Sequence, residues 1–247
     1  MPQVSRQIAI GDVHGCVHAL DALLDAILPT SNDQLIFLGD LIDQGHDSRE
    51  VLDRLFGLKQ QCSLVLIEGN HEEMMFAARE SEKALRYWEN CGGVTTLNSF
   101  RFGGSLKDIP EEYWKLLNEG LPYFESEEHI FTHANYLPDS PMPVQPGYQL
   151  RWALFEPEKM QPHESGKTVW VGHTEQVNGE ILDLGFAACI DTACWRYGWL
   201  TAVEVNTRQV WQANRWGSLR EVGEPSQRGQ LTRLLRKTPA DVAAASH

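Results

Sequence analysis

Three short strings concentrate the residue types that could hold a metal: Gly11-Asp12-Val13-His14-Gly15, Gly39-Asp40-Leu41-Ile42-Asp43-Gln44-Gly45 and Gly69-Asn70-His71-Glu72. Together they offer carboxylates, imidazoles and an amide oxygen, a donor set suited to Mn²⁺, Fe or Zn²⁺ more than to Ca²⁺. Two later histidines, His133 in Thr132-His133-Ala134 and His173 in Gly172-His173-Thr174, stand in similar settings. One ion would take Asp12, His14 and Asp40; a second would take Asp40, Asn70, His133 and His173. Sharing Asp40 would hold the ions roughly 3.5–4 Å apart, the spacing that clamps the attacking and leaving oxygens of an in-line displacement. A water bridging such a pair loses its proton near neutral pH and becomes a nucleophile. His71 then has a separate task. Asp43, three residues beyond Asp40, would orient and charge its imidazole, giving an acid that protonates a departing alkoxide.

Elements must bring these side chains together. Each string follows a short apolar run, at residues 8–10, 35–38 and 64–67, and such runs bounded by Gly and Asp read as buried parallel strands. The strings therefore sit at strand ends, where an open α/β sheet builds its sites. Val17, Leu20, Leu23, Leu24, Ile27 and Leu28 recur at helical spacing and stop at Pro29, which predicts an amphipathic helix. Asp47 with Glu50 forms a capping-box pattern before a second helix, and a third is expected over residues 72–88. Pro110-Glu111-Glu112 opens another helix, while residues 138–146 are too proline-rich for a strand. Residues 168–171, 181–184, 187–190, 199–205 and 210–213 read as short strands. They are expected to form a second, mostly antiparallel sheet, so the fold class is α/β, with two packed sheets flanked by helices.

Composition narrows the function. The 247 residues are 42% hydrophobic, enough for one large core, and carry a formal net charge of −13. That balance argues against nucleic-acid or membrane-surface partners, which need clustered Lys and Arg. Anionic substrates must be drawn in by bound cations or a few basic residues. No stretch approaches the roughly 20 apolar residues of a membrane helix. Five cysteines without CxxC spacing, and no hydrophobic leader before Arg6, predict free thiols and a cytoplasmic setting. One catalytic domain over residues 1–216 is expected, followed by a basic, solvated tail over 217–247. His18, His46, His129, His163 and His247 are read as surface or structural.

The ordered strings, with Trp88-Glu89-Asn90-Cys91-Gly92-Gly93, His133-Ala134-Asn135-Tyr136 and Ile190-Asp191-Thr192, resemble the phosphoprotein-phosphatase family of metallophosphoesterases, and within it the bacterial and phage branch. The resemblance covers approximately residues 7–205. It implies a calcineurin-like fold, two divalent ions (Mn²⁺ in this branch) on Asp12, His14, Asp40, Asn70, His133 and His173, and His71 with Asp43 as the acid dyad. It implies hydrolysis of a phosphomonoester without a covalent intermediate, the partner being a phosphorylated protein, a peptide or a small phosphoester. A neighbouring branch cleaves dinucleoside tetraphosphates, and a poorly active binding protein on the same scaffold is a third reading. One departure stands out: the family reads Asp-Arg-Gly where this chain has Asp43-Gln44-Gly45. Gln44 can donate a hydrogen bond to phosphate but lacks the bidentate fork of a guanidinium. Arg151, beside Trp152, is the expected replacement, with Lys167 and Arg101 behind it.

Overall fold

The computed structural model describes residues 6–221. The first third alternates strand and helix: β1 (Arg6–Ile10), α1 (Val17–Ile27), β2 (Asp33–Phe37), α2 (Ser48–Leu58), β3 (Ser63–Leu66) and α3 (Asn70–Ala77). Short helices follow: α4 (Glu82–Trp88), a π-turn at Glu89–Gly93, α5 (Val94–Phe100) and α6 (Glu111–Leu117). Then come β4 (Tyr123–Glu125), β5 (His129–Thr132), α7 (Gly147–Arg151), β6 (Thr168–Val171), β7 (Leu182–Asp183), β8 (Ala187–Cys189), β9 (Leu200–Glu204) and β10 (Val210–Ala213).

The helix expected over residues 72–88 is broken after Ala77. Ser81 takes an extended backbone and its hydroxyl accepts from Ala84 N, starting α4 afresh, the competition between capping and helix continuation that serine favours. Asp47 does cap α2 by position, but its side chain makes no cap bond. α1 ends as expected at Leu28, in the left-handed region at φ 49°.

Two five-stranded sheets result, in the orders β10-β9-β1-β2-β3 and β4-β5-β6-β8-β7. β1, β2 and β3 are parallel, as are β5, β6 and β8; antiparallel strands flank each set. The expectation of a mostly antiparallel second sheet is corrected here. β9 and β10 leave that sheet and pair beside β1, and the second sheet keeps a parallel centre. The strand signal was right, but alternation fixes which face a residue takes and not which strand lies next to it.

Alternation places the core. Ile8, Ile10, Leu35 and Phe37 face the helices. Ala9, Ile36 and Leu38 pack between the sheets against Phe131, Trp170, Ala188 and Ile190. Ile130, Val169, Val171 and Ala187 face outward under the 136–160 region. Both sheets are thus buried on two faces, which is why their parallel strands read as unbroken apolar runs. All five cysteines are free thiols, and no helix among the described residues is long and apolar enough to cross a membrane. Residues 217–221 continue the folded chain: Leu219 bridges to Ala213, and Arg220 Nη1 donates to Gly179 O and Gln212 Oε1 at 2.9 Å each. The rest of the expected basic tail lies outside the described residues.

The inter-sheet layer sets the stability. Phe131 is fully buried there, so Phe131→Ala is expected to cost about 3–5 kcal/mol. Val177→Ser, at a 75% exposed position, should change stability by less than about 0.5 kcal/mol. Midpoints of denaturant unfolding check both.

Candidate metal centre

The strings are zipped to one another by backbone bonds. Asp40 O accepts from Val13 N (3.1 Å) and His14 N (2.8 Å), Gly15 N donates to Leu41 O (3.0 Å), and Gly45 N donates to His14 O (3.0 Å). Glu72 ties in the third string, accepting from Asp40 N, Leu41 N and Gly69 N at 2.8–3.0 Å. Glu72 thus caps its own helix at Gly69 N and also reaches into the second string. His14, Asp40, Asp43, Gln44 and His173 all take left-handed φ between 44° and 71°, a strain that persists only where surrounding bonds over-determine it.

Two groups of donors form, His14 with Asp40 and His71, and Asp40 with His133 and His173. Asp40 belongs to both: its Oδ2 is 3.5 Å from His14 Nε2 and its Oδ1 is 3.4 Å from His133 Nε2. Asn70 Oδ1 lies 2.9 Å from His133 Nε2 and 3.1 Å from His173 Nδ1. The structure thus brings together His14, Asp40, Asn70, His133 and His173, five of the six expected ligands. Asp12 stands outside both groups. Its carboxylate accepts from His173 N at 3.0 and 3.2 Å, packed where any residue but glycine at 172 would put a Cβ 2.0 Å from Asp12 Oδ1.

The donor chemistry fits a cation. His14 Nδ1 meets Ile42 O at 2.9 Å, His133 Nδ1 meets Leu38 O at 2.7 Å and His173 Nε2 meets Trp152 O at 3.1 Å. A carbonyl can only accept, so each of these nitrogens carries the proton and the other presents a lone pair. Those lone pairs face the oxygens of Asp40 and Asn70. Burial, reinforced by neighbouring imidazoles, lowers His14 and His133 to about 4, and burial lowers His173, so all three are neutral. Electron-rich atoms converging without a proton between them need a positive ion. Burial works against charge on Asp40, and among the imidazoles around it the charged one, His71, favours the carboxylate.

His71 has a different environment. Its Nδ1 lies 2.8 Å from Asp43 Oδ2 and its Nε2 3.9 Å from Asp40 Oδ2. Burial disfavours its charge, yet Asp40 and Asp43 raise it to about 9. Asp43 is fully buried and held on both oxygens, Oδ2 by Trp88 Nε1 (2.7 Å) and Oδ1 by the Thr96 hydroxyl (2.6 Å). Ser48 and Thr96 also accept from Asp43 N. Trp88 reaches Asp43 because a Cβ at Gly93 would meet its ring at 2.4 Å. Sequence reading gave Trp88 and Thr96 no role; the tryptophan's place in a quoted string was the available signal.

The expected phosphate-gripping residues are engaged elsewhere. Gln44 Nε2 donates to Cys91 O at 2.8 Å. Arg151 is half-buried, with Nη1 3.3 Å from Glu68 and Nη2 3.1 Å from Glu73. Of the histidines read as structural, His129 lies against Asn206 and Trp170, and His163 against Ser140 and Ser165. His247 falls outside the described residues.

Comparison with known proteins agrees with this geometry. Residues 5–174 match the calcineurin-like phosphoesterase family. Serine/threonine-protein phosphatase 1 of Salmonella typhimurium is 27% identical over 206 residues, 79% of this chain and 90% of that protein. A symmetrical bis(5'-nucleosyl)-tetraphosphatase of Pseudomonas fluorescens is 28% identical over 154 residues, 62% of this chain. The chain spans about half the length of that relative, 46%. Among solved structures, that of a putative diadenosine tetraphosphatase superposes with a TM-score of 0.67 at 20% identity, covering 88% of this chain and 97% of the other. The match extends over more than half of the sequence and rests on the same two-sheet fold, so the chain belongs to the calcineurin-like phosphoesterase family and is a hydrolase.

Proposed function

We propose that this hydrolase is a phosphomonoesterase of the bacterial and phage phosphoprotein-phosphatase type, acting on phosphoserine or phosphothreonine. Asp12, His14, Asp40, Asn70, His133 and His173 would hold two divalent ions, with Mn²⁺ the first to test. The observation that carries the reading is Asp40, which joins two donor groups while His71, paired to Asp43 at 2.8 Å, faces its Oδ2. The Salmonella phosphatase, matched over 90% of its length, supports the substrate class.

When bound, the ions would supply the charge that acidifies solvent and offsets the phosphoryl oxygens. The remaining work belongs to the chain. Asp43 accepts from His71 Nδ1 and so directs the Nε2 proton toward the crevice, where the leaving oxygen departs. Trp88 and Thr96 keep Asp43 from turning away. The three neutral imidazoles present lone pairs whose directions are set by backbone carbonyls, and Asn70 Oδ1 lies between two of them, so these donors are oriented in advance. Arg151 could take a phosphoryl oxygen only by giving up Glu68 or Glu73.

A second reading, hydrolysis of dinucleoside polyphosphates, is favoured by a cavity of about 400 Å³ whose wall includes Asn135, two residues beyond His133 in the chain. Asn135, Tyr148, Leu154 and Lys159 are among its lining residues. It gives room for a leaving group larger than a serine side chain.

Assays of metal-reloaded protein separate these readings. Orthophosphate from a phosphoserine peptide and from p-nitrophenyl phosphate is the expected result. Nucleotide products from diadenosine tetraphosphate with a silent phosphopeptide would replace the first reading by the second, and silence on all three would leave a binding protein. Asp40→Asn should lose metal by elemental analysis. His71→Asn should keep its metal and lower kcat by roughly 10²–10⁴ on the phosphopeptide. The loss should be much smaller on p-nitrophenyl phosphate, whose leaving group needs no proton. An equal loss on both substrates would remove His71 from the acid role.

A further inference from the structure

A chain of net charge −13 must solve the capture of a phosphoryl anion locally. Gln44 is neutral and spent on Cys91 O, and Arg151 is 17% exposed between two carboxylates. Arg196 is placed differently. It lies in the loop between β8 and β9, directly after Trp195, whose ring meets that of His14 edge-on at 6.4 Å. The Arg196 guanidinium lies 4.7 Å over the Trp195 ring, and its Nε is 3.1 Å from Glu175 Oε2. The side chain stays 52% exposed. Stacking and one carboxylate fix the plane of the fork without covering it, the condition for bidentate recognition of an oxyanion.

The loop that carries Arg196 is braced on all sides. Ala193 N donates to Asp191 Oδ1 (3.0 Å), Gly198 N to Ala193 O (3.0 Å) and Trp199 N to Thr192 O (2.9 Å). Arg215 Nη1 donates to Trp195 O (2.9 Å), and Trp195 Nε1 to Glu175 Oε1 (2.8 Å). Glu175 itself follows His173 by two residues. The guanidinium is thus stacked on a ring that itself meets His14, in a loop tied to Asp191, Glu175 and Arg215.

We propose that Arg196 is the residue that seats the substrate's phosphoryl group, its fork taking two non-bridging oxygens, with Glu175 as the counter-ion that holds it until the anion arrives. This rests on the phosphoesterase reading. Its competitor is a purely structural role, in which the Glu175–Arg196 pair staples the loop.

The two differ in sign at one position. Glu175→Gln removes a negative charge and releases the fork while still accepting from Trp195 Nε1, so anion seating predicts tighter phosphate. A staple predicts the same weakening from either partner. The probe is inorganic phosphate, measured on metal-reloaded protein by calorimetry and as a competitive inhibitor of p-nitrophenyl phosphate hydrolysis. Arg196→Gln is expected to raise the phosphate Kd and the ester KM together by roughly tenfold to a hundredfold, the loss of charge-assisted bonds to the anion. Arg196→Lys should fall between, because it keeps the charge without the fork, and Glu175→Gln should lower the Kd. An unchanged Kd in Arg196→Gln, or a rise in both Arg196→Gln and Glu175→Gln, overturns the proposal. Calorimetry reads phosphate binding whether or not any ester is cleaved. Arg196-dependent binding by a hydrolytically silent protein would thus sink the phosphoesterase reading alone.

Discussion

The centre depends on holding one carboxylate, that of Asp40, in a conformation its own backbone disfavours. Its φ of 49° is left-handed, which for a non-glycine residue costs on the order of 1–3 kcal/mol. Asp40 N is held by Glu72, its carbonyl accepts from two amides of the first string, and its Oδ1 accepts from His71 N at 3.1 Å. Bonds from both other strings thus converge on one residue. That convergence lets a single side chain face His14 on one oxygen and His133 on the other. If Asp40 relaxed to an ordinary φ, the two donor groups would no longer share a member.

The two-sheet architecture is what makes such convergence possible. Parallel β1, β2 and β3 deliver the first three strings at one edge, and parallel β5, β6 and β8 deliver His133, His173 and Asp191 from the facing sheet. An antiparallel second sheet would have sent alternate strand ends to opposite edges. The thin apolar layer of Ile36, Leu38, Phe131, Trp170 and Ile190 sets how closely the two edges approach. Packing far from the chemistry therefore fixes the distance between imidazoles on one sheet and carboxylates on the other.

Most of this was legible where the signal is local. Strand ends followed by Gly and Asp, and histidines after apolar runs, announced which donor side chains meet, since side-chain direction at a strand end follows from period-two alternation. What escaped was long-range pairing. Trp88 and Thr96 reach Asp43 from 45 and 53 residues away, and nothing in their spacing encodes it. β9 and β10 alternate like strands of either sheet, and only the open edge beside β1 decides between them. That the oxygens of Asp12 accept from the backbone of His173, 161 residues on, is likewise absent from any local spacing. Arg151 reads as an unpaired cation in the sequence and is neutralised in the fold, because Glu68, just before α3, and Glu73, within it, lie 3.3 and 3.1 Å from its guanidinium.

The charge of the centre has a consequence for the protein as a whole. Asp12, Asp40, Glu72 and Asp191 are each at most 3% exposed, and no Lys or Arg is buried among the described residues. Burial, compounded by mutual repulsion, pushes Glu72 up to about 8, Asp191 to about 7 and Asp12 well above the carboxylate range. Hydrogen bonds offset part of this at Glu72, from three backbone amides, and at Asp191, from Ala193 N. They do not supply opposite charge. A group of carboxylates this dense is stable when it carries protons or when it surrounds cations, and the neutral imidazoles, with their protons already committed to carbonyls, leave cations as the partner that satisfies both donor types. Ion binding and folding are then linked through the same residues: each ion that these carboxylates would hold would also relieve repulsion concentrated where the backbone is most strained.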